Sequence, residues 1–341
     1  MINIKTQKKL FLFIGVITTL FILGCSTVVE QSHPLGSPPE DMDKIPEIVE
    51  MEEESGVKMT SRGVKYIVDP KKILSGGPPK DGIPSIDNPK FITVDEADKL
   101  IQDNELVLAM IHKGVKRVYP LQILVWHEIV NDFIAGDPIL ITYCPLCGSG
   151  IAYERKIDGE TVEFGTSGKL YNSNLVMYDR ETNSYWSQID GLAIVGELTG
   201  KELKEVSIDT VTWGDWKSAH PDSEVLSQDT GFNRAYGRDP YGSYYEDSFL
   251  FFPVENEDNR IHAKTVIFGI EVNGVHKAYR EDDLIKEGEI EDTVAGVSLT
   301  VERDNAGIVK ITNTESEEEI VKERDFWFAW YAFHPNTLLY G

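Results

Sequence analysis

The chain has 341 residues, with 33 Lys and Arg against 57 Asp and Glu, a formal charge of −24 and a pI near 4.7. That acid excess excludes a nucleic-acid partner, because phosphate binding needs a cationic surface. Length and a 41% hydrophobic content suffice for a sizeable core without a disulfide framework, so the three cysteines are free for other work.

Met1 to Gly24 places Lys5, Lys8 and Lys9 ahead of an acid-free apolar run, Leu10 to Leu23, that ends in Gly24-Cys25. A charged start, a short apolar stretch and a small residue before the cut read as a secretory signal, and the cysteine after it resembles a bacterial lipobox. We therefore expect a signal peptide over 1–24, lipidation at Cys25, and a body anchored to the cell membrane or outer membrane on its extracytoplasmic face. Cleavage removes three lysines and no acid from the 33 basic and 57 acidic residues, so the remaining chain carries about −27. The acidic runs Glu50 to Glu54 and Glu315 to Glu319 read as solvated faces.

Residues 25–63, rich in Pro, Glu and Ser, read as a disordered tether. A single folded body is expected over 64–341, in two related halves at about 104–230 and 262–341. Ile73 to Pro84 is too rich in Gly and Pro for helix or central strand and reads as a fixed-turn loop at the entry to the body. Thr93-Val94-Asp95-Glu96 has capping-box spacing and predicts a helix to about Asp103.

Two stretches then run alike. Leu106 to Ile111, the turn His112-Lys113-Gly114, Val115 to Tyr119 and a helix-like Leu121 to Asn131 have a counterpart 160 residues later. The counterpart is Val266 to Glu271, Val272-Asn273-Gly274, Val275 to Tyr279 and Glu281 to Lys286, with Asn-Gly a strong hairpin signal. Trp213, Trp216, His220 and Pro221 match Trp327, Trp330, His334 and Pro335 at an offset of 114, so the first half holds 46 extra residues between Asn131 and Trp213. The paired histidines, each closing an aromatic helix, suit capping better than metal ligation. Between the halves' ends, strands are predicted over Ile139 to Tyr143, Ile151 to Arg155, Thr161 to Phe164, Leu175 to Tyr178 and Tyr185 to Gln188. The expected class is α+β, mainly antiparallel β with short helices and an internal duplication of a hairpin-plus-helix unit.

The chemistry is expected in Cys144-Pro145-Leu146-Cys147-Gly148, at the end of a strand. Two thiols two residues apart can close on one metal ion or on each other, and Pro145 and Gly148 suit a tight turn. His127 is the leading further ligand, with Glu128 behind it as an orienting acceptor and Met177 as a thioether donor. Such a set suits a soft ion, copper or zinc. The stretch His127-Glu128-Ile129-Val130-Asn131 fails the zinc-protease pattern at its last position. Gly165-Thr166-Ser167-Gly168-Lys169 fails the spacing of a phosphate loop, so no nucleotide is expected. Thiol–disulfide exchange is the rival reading. It lacks the helix that follows a thioredoxin-type motif, since Ile151 to Arg155 reads as strand. A binding module with a local disulfide is the third reading, and the protein or small-molecule partner is left open.

Gly76 to Pro84, Trp126 to Asn131, Cys144 to Gly148 and Phe164 to Gly168, in this order, resemble a prokaryotic family labelled domain of unknown function 3179, over a match from about Ile67 to the C-terminus. The resemblance implies a shared fold and a shared site, and brings no activity.

Overall fold

In a computed structural model, residues 56–341 are described; the expected signal peptide, Cys25 and most of the tether lie outside them. The fold is mainly antiparallel β with a few short helices. Lys58–Met59 already pairs with Lys65–Tyr66, so ordered structure begins a few residues before the boundary expected at residue 64. Among the described residues no helix is long and apolar enough to cross a membrane.

The first hairpin, Leu106–His112 with Val115–Pro120, turns where His112-Lys113-Gly114 predicts it; the second, Val266–Val272 with Val275–Arg280, turns on Asn273 and Gly274, both with positive φ. Each sits in a sheet of the same order and direction. Asp209–Thr212 pairs antiparallel with the first hairpin on one side and Glu224–Leu226 parallel on the other, as Glu323–Phe326 and Leu338–Leu339 do with the second. Phe91–Thr93 extends only the first sheet. A helix follows the antiparallel edge strand in both, Trp213–Ala219 and Trp327–Phe333, each capped by its histidine. The N–H of His220 bonds Trp216 O at 2.8 Å and that of His334 bonds Trp330 O at 2.9 Å.

Polar pairs recur around the two sheets. Tyr119 donates to Asp132 at 2.6 Å and Tyr279 to Asp292 at 2.9 Å. Trp216 Nε1 donates to Ser223 and Trp330 Nε1 to Thr337; Trp213 Nε1 donates to Asp98 and Trp327 Nε1 to Asp258.

The predicted helix over Leu121 to Asn131 is corrected. Only Leu121–Leu124 is helical, and the chain turns through His127 into the strand Ile129–Ile134. The apolar spacing of Leu121, Leu124 and Val125 is helical, but Ile129 and Val130 pair with Thr142 and Ile141, and that ladder overrides the local preference. The helix at Thr93 forms its capping box yet runs only Val94–Ala97. Four of the five predicted strands are present, with ends moved by a few residues; the fifth, Thr161 to Phe164, is corrected, since the chain leaves the short strand Glu160–Thr161 and enters Phe164–Tyr171 there, with Val162 and Glu163 between them.

Asp137–Cys144 and Ser149–Glu154 form the hairpin that carries the cysteines, flanked by Ile129–Ile134 and Lys204–Val206. A second sheet lies under it, with Phe164–Tyr171, Asn174–Asp179, Tyr185–Ser187 and Ala193–Val195 among its strands. The core between them includes Ile129, Leu140, Ile151, Phe164, Met177 and Trp186 together with both cysteines.

Candidate functional site: the cysteine turn

Cys144 and Ser149 are Cα partners at the closed end of their hairpin, so Pro145 to Gly148 make a four-residue loop. The N–H of Cys147 bonds back to Cys144 O at 3.1 Å, and Gly148 takes a φ of +63°, which favours glycine. A Cβ on Gly148 would also lie 3.0 Å from the Phe326 ring. The loop is fastened from outside: Phe326 N donates to Cys147 O at 2.8 Å and Tyr244 Oη to Leu146 O at 3.1 Å.

Both thiols are free and buried. They converge on one acceptor, the carbonyl of Ser173, at 4.0 Å from Cys144 Sγ and 3.5 Å from Cys147 Sγ. Asn172 and Ser173 both have positive φ, and this turn aims that carbonyl at the sulfurs. Asn174 Nδ2 donates to Cys147 Sγ at 3.4 Å and to Gln188 Oε1 at 2.7 Å. Gln188 in turn donates to Thr142 at 3.0 Å and Ser149 at 3.4 Å, while Ile189 N donates to Asn174 Oδ1 at 3.3 Å. These side chains are all buried, so the amide array is fixed by satisfied hydrogen bonds. Burial first, then the neighbouring Cys144, pushes the Cys147 thiol well up, against the smaller opposite effect of Asn174.

An irregular segment covers the loop. Tyr241, Tyr244 and Tyr245 lie in electrostatic reach of Cys144. Lys264 anchors the segment through Phe249 O at 2.8 Å and through Tyr244 O, with its ammonium 3.5 Å from the Tyr244 ring centroid.

Glu128 sits at the edge of this cover. Its backbone has φ +59°, its carbonyl accepts from Tyr143 N at 2.7 Å, and its buried carboxyl lies 3.5 Å from Tyr241 Oη. Burial raises that carboxyl to about 8, against the Tyr241 hydrogen bond. On the far side, burial raises Asp325, whose two carboxylate oxygens have no hydrogen-bond partner among the described residues, to about 7, and burial with Asp325 repulsion raises Glu205 to about 8.

His127 is buried, with both ring nitrogens engaged. Nδ1 is 2.7 Å from Pro84 O and Nε2 is 2.7 Å from Tyr236 Oη. A carbonyl can only accept, so Nδ1 carries the proton and Nε2 accepts from the tyrosine, in a neutral ring. Burial also lowers its pKa. Met177 is buried in the core that holds the cysteines and pairs with Trp186 and Thr166. The structure thus gathers Cys144, Cys147 and Met177 into one core and commits His127 to other partners. Among the described residues, no group of three or more His, Cys, Asp and Glu is arranged to hold a metal ion. Sequence reading missed Asn174, Gln188 and the tyrosines; only the aromatic run Tyr241 to Phe252 signalled that something is covered there.

The other motifs pack around the same core. Gly76 N bonds Gly168 O at 2.8 Å, Asp81 N bonds Thr166 O at 2.9 Å, and a Cβ on Gly168 would collide with Pro78 O. Asn131 both donates to Phe164 O, at 2.8 Å, and accepts from Phe164 N, at 3.0 Å. A family model described as Protein of unknown function (DUF3179) matches residues 80–319, which include all of these contacts except the two made by Gly76 and Pro78. The chain belongs to the DUF3179 family. No curated protein and no solved structure matches it. What the DUF3179 site does must therefore be argued from its own atoms.

Proposed function

We propose that this DUF3179 protein is a lipid-anchored extracytoplasmic protein whose Cys144–Cys147 pair passes between dithiol and disulfide. The observation that carries the reading is the convergence of both sulfurs on Ser173 O, with no third His, Cys, Asp or Glu among the described residues gathered to hold a metal ion with them. The cell exterior to which the N-terminal signal points is the compartment in which disulfides persist. Burial works against ionising Cys147. Cys147 then lacks the thiolate stabilisation that favours the reduced form, and the pair is proposed to act as a reductant towards a partner disulfide.

Copper or zinc on the same sulfurs is the second reading, favoured by the place of Met177 in their core. His127 could ligate only through Nε2, giving up its hydrogen bond with Tyr236, since Nδ1–H is held by Pro84 O.

We also propose that the two sheets are copies of one unit. Their common strand order and the recurrence of the Tyr–Asp and Trp–hydroxyl pairs support this. Cys144 to Ser149 then stands where the second unit has Asp304 to Val309, so the cysteine loop belongs to the shared frame. The inserted residues supply the strands that bring Ser173, Asn174 and Gln188 beneath it.

The test compares protein purified with and without air against the double variant Cys144→Ser, Cys147→Ser. Two thiols that block after reduction and resist blocking after aeration, with equal metal content in wild type and variant, support the dithiol reading. Metal that disappears in the variant favours the second reading.

A further inference from the structure

The two sulfurs are alike in sequence but not in surroundings. Cys147 receives an amide N–H from Asn174, a side chain itself held by Ile189 N and Gln188. Cys144 has the more distant Ser173 carbonyl, an acceptor. From the sheet side, Thr142, Ser149, Asn174 and Gln188 close off the pair with buried, mutually bonded groups. On the other side, the core that holds the pair is covered by Tyr241 and Tyr245, which are partly exposed and belong to a segment with little regular structure.

We propose that Cys144 is the sulfur that exchanges with a partner disulfide, and that Asn174 holds Cys147 as the sulfur that resolves the mixed disulfide. The assignment rests on the dithiol reading. In the first step Cys144, as thiolate, attacks one sulfur of a partner R–S–S–R′. A Cys144–S–S–R bond forms, the partner bond breaks, and the expelled R′–S⁻ takes up the proton that Cys144 released. Cys147 then gives up its proton and attacks the Cys144 sulfur. The intramolecular disulfide forms, and R–S⁻ leaves and takes that proton. Two electrons pass from the cysteines to the partner, which becomes two thiols. The Asn174 N–H supports negative charge on Cys147 and keeps its sulfur in place while the partner is attached. Asn174 is thus a positioning residue.

The test uses the fully reduced protein and 5,5′-dithiobis(2-nitrobenzoate) as the probe disulfide, with release of the aromatic thiolate followed by absorbance and the protein by intact mass. Wild type releases two equivalents and ends without an adduct. Cys147→Ser releases one and keeps the adduct on Cys144, and Cys144→Ser reacts slower by about tenfold or more. Asn174→Ala and the near-isosteric Asn174→Asp leave the first release within about twofold and slow the second by about tenfold. A side chain that only props the fold changes both phases or neither.

Equal reactivity of the two serine variants, or an unchanged ratio of phases in folded Asn174 variants, overturns the assignment. If the Asn174 variants do not fold, the comparison of the serine variants decides it. A wild type that keeps two adducts, or releases nothing until unfolded, instead removes the dithiol reading beneath it.

Discussion

Replacing Glu128 by Gln isolates one buried carboxyl. Burial raises this group from its ordinary 4.5 to about 8, while the unfolded chain releases the proton near 4.5. Between these values the folded state binds a proton that the unfolded state has lost, so stability falls as pH rises from 4.5 to 8 and levels off above. At about 1.4 kcal/mol per tenfold difference in proton affinity, the gap corresponds to about 4 to 5 kcal/mol lost by pH 9. The amide in Glu128→Gln stays neutral and still accepts from Tyr241, and so escapes the loss. Urea unfolding of both proteins from pH 4 to pH 9 provides the measurement. We expect the variant to lie within about 1 kcal/mol of wild type at pH 4 and to exceed it by about 3 to 5 kcal/mol at pH 9. Asp325 and Glu205 tilt both curves alike, so the difference between curves reports Glu128 alone. Parallel curves over the whole range would refute the reasoning.

Gly148→Ala forces a Cβ to within 3.0 Å of the Phe326 ring at a φ of +63°, and we expect a loss of about 1 to 3 kcal/mol, read as a lowered thermal midpoint. Tyr119→Phe and Tyr279→Phe each remove the phenol that bonds a buried or part-buried aspartate; losses of about 1 to 3 kcal/mol, similar in the two variants, follow if the sheets are equivalent, and urea unfolding measures them. His334 is lowered to about 3 by burial and by the stacked His276. The folded protein therefore keeps the ring neutral while the unfolded chain protonates it below about 6.5, and stability is lost as pH falls from 6.5 toward 3. His334→Gln should flatten that acid limb in pH-dependent unfolding; an unchanged limb contradicts the assignment.

What was legible in the sequence is what local chemistry decides. Asn273-Gly274 specifies its hairpin through positive φ, Thr93 and Glu96 specify a capping box, and Cys144 to Gly148 announces its own turn. The strand Ile129–Ile134 was not legible, because its helical-looking lead-in yields to pairing with a strand that follows it. The partners of His127 were hidden for a plainer reason. Tyr236 lies 109 residues away and Pro84 contributes a carbonyl, which no sequence pattern marks. Asn174 and Gln188 look like ordinary polar residues near strand ends until the fold places the thiols above them. The repeated Trp and His positions were legible, but the histidines close their helices through backbone N–H groups, a bond that residue type does not mark.

The most direct measurement is a redox titration of the full protein, in which thiols are alkylated at each poise and counted by intact mass. We expect a single two-electron transition of Cys144 and Cys147 at or below about −270 mV, at the reducing end of the known exchange proteins. Two thiols that stay alkylatable at every poise, even after unfolding, would contradict a dithiol that closes on itself.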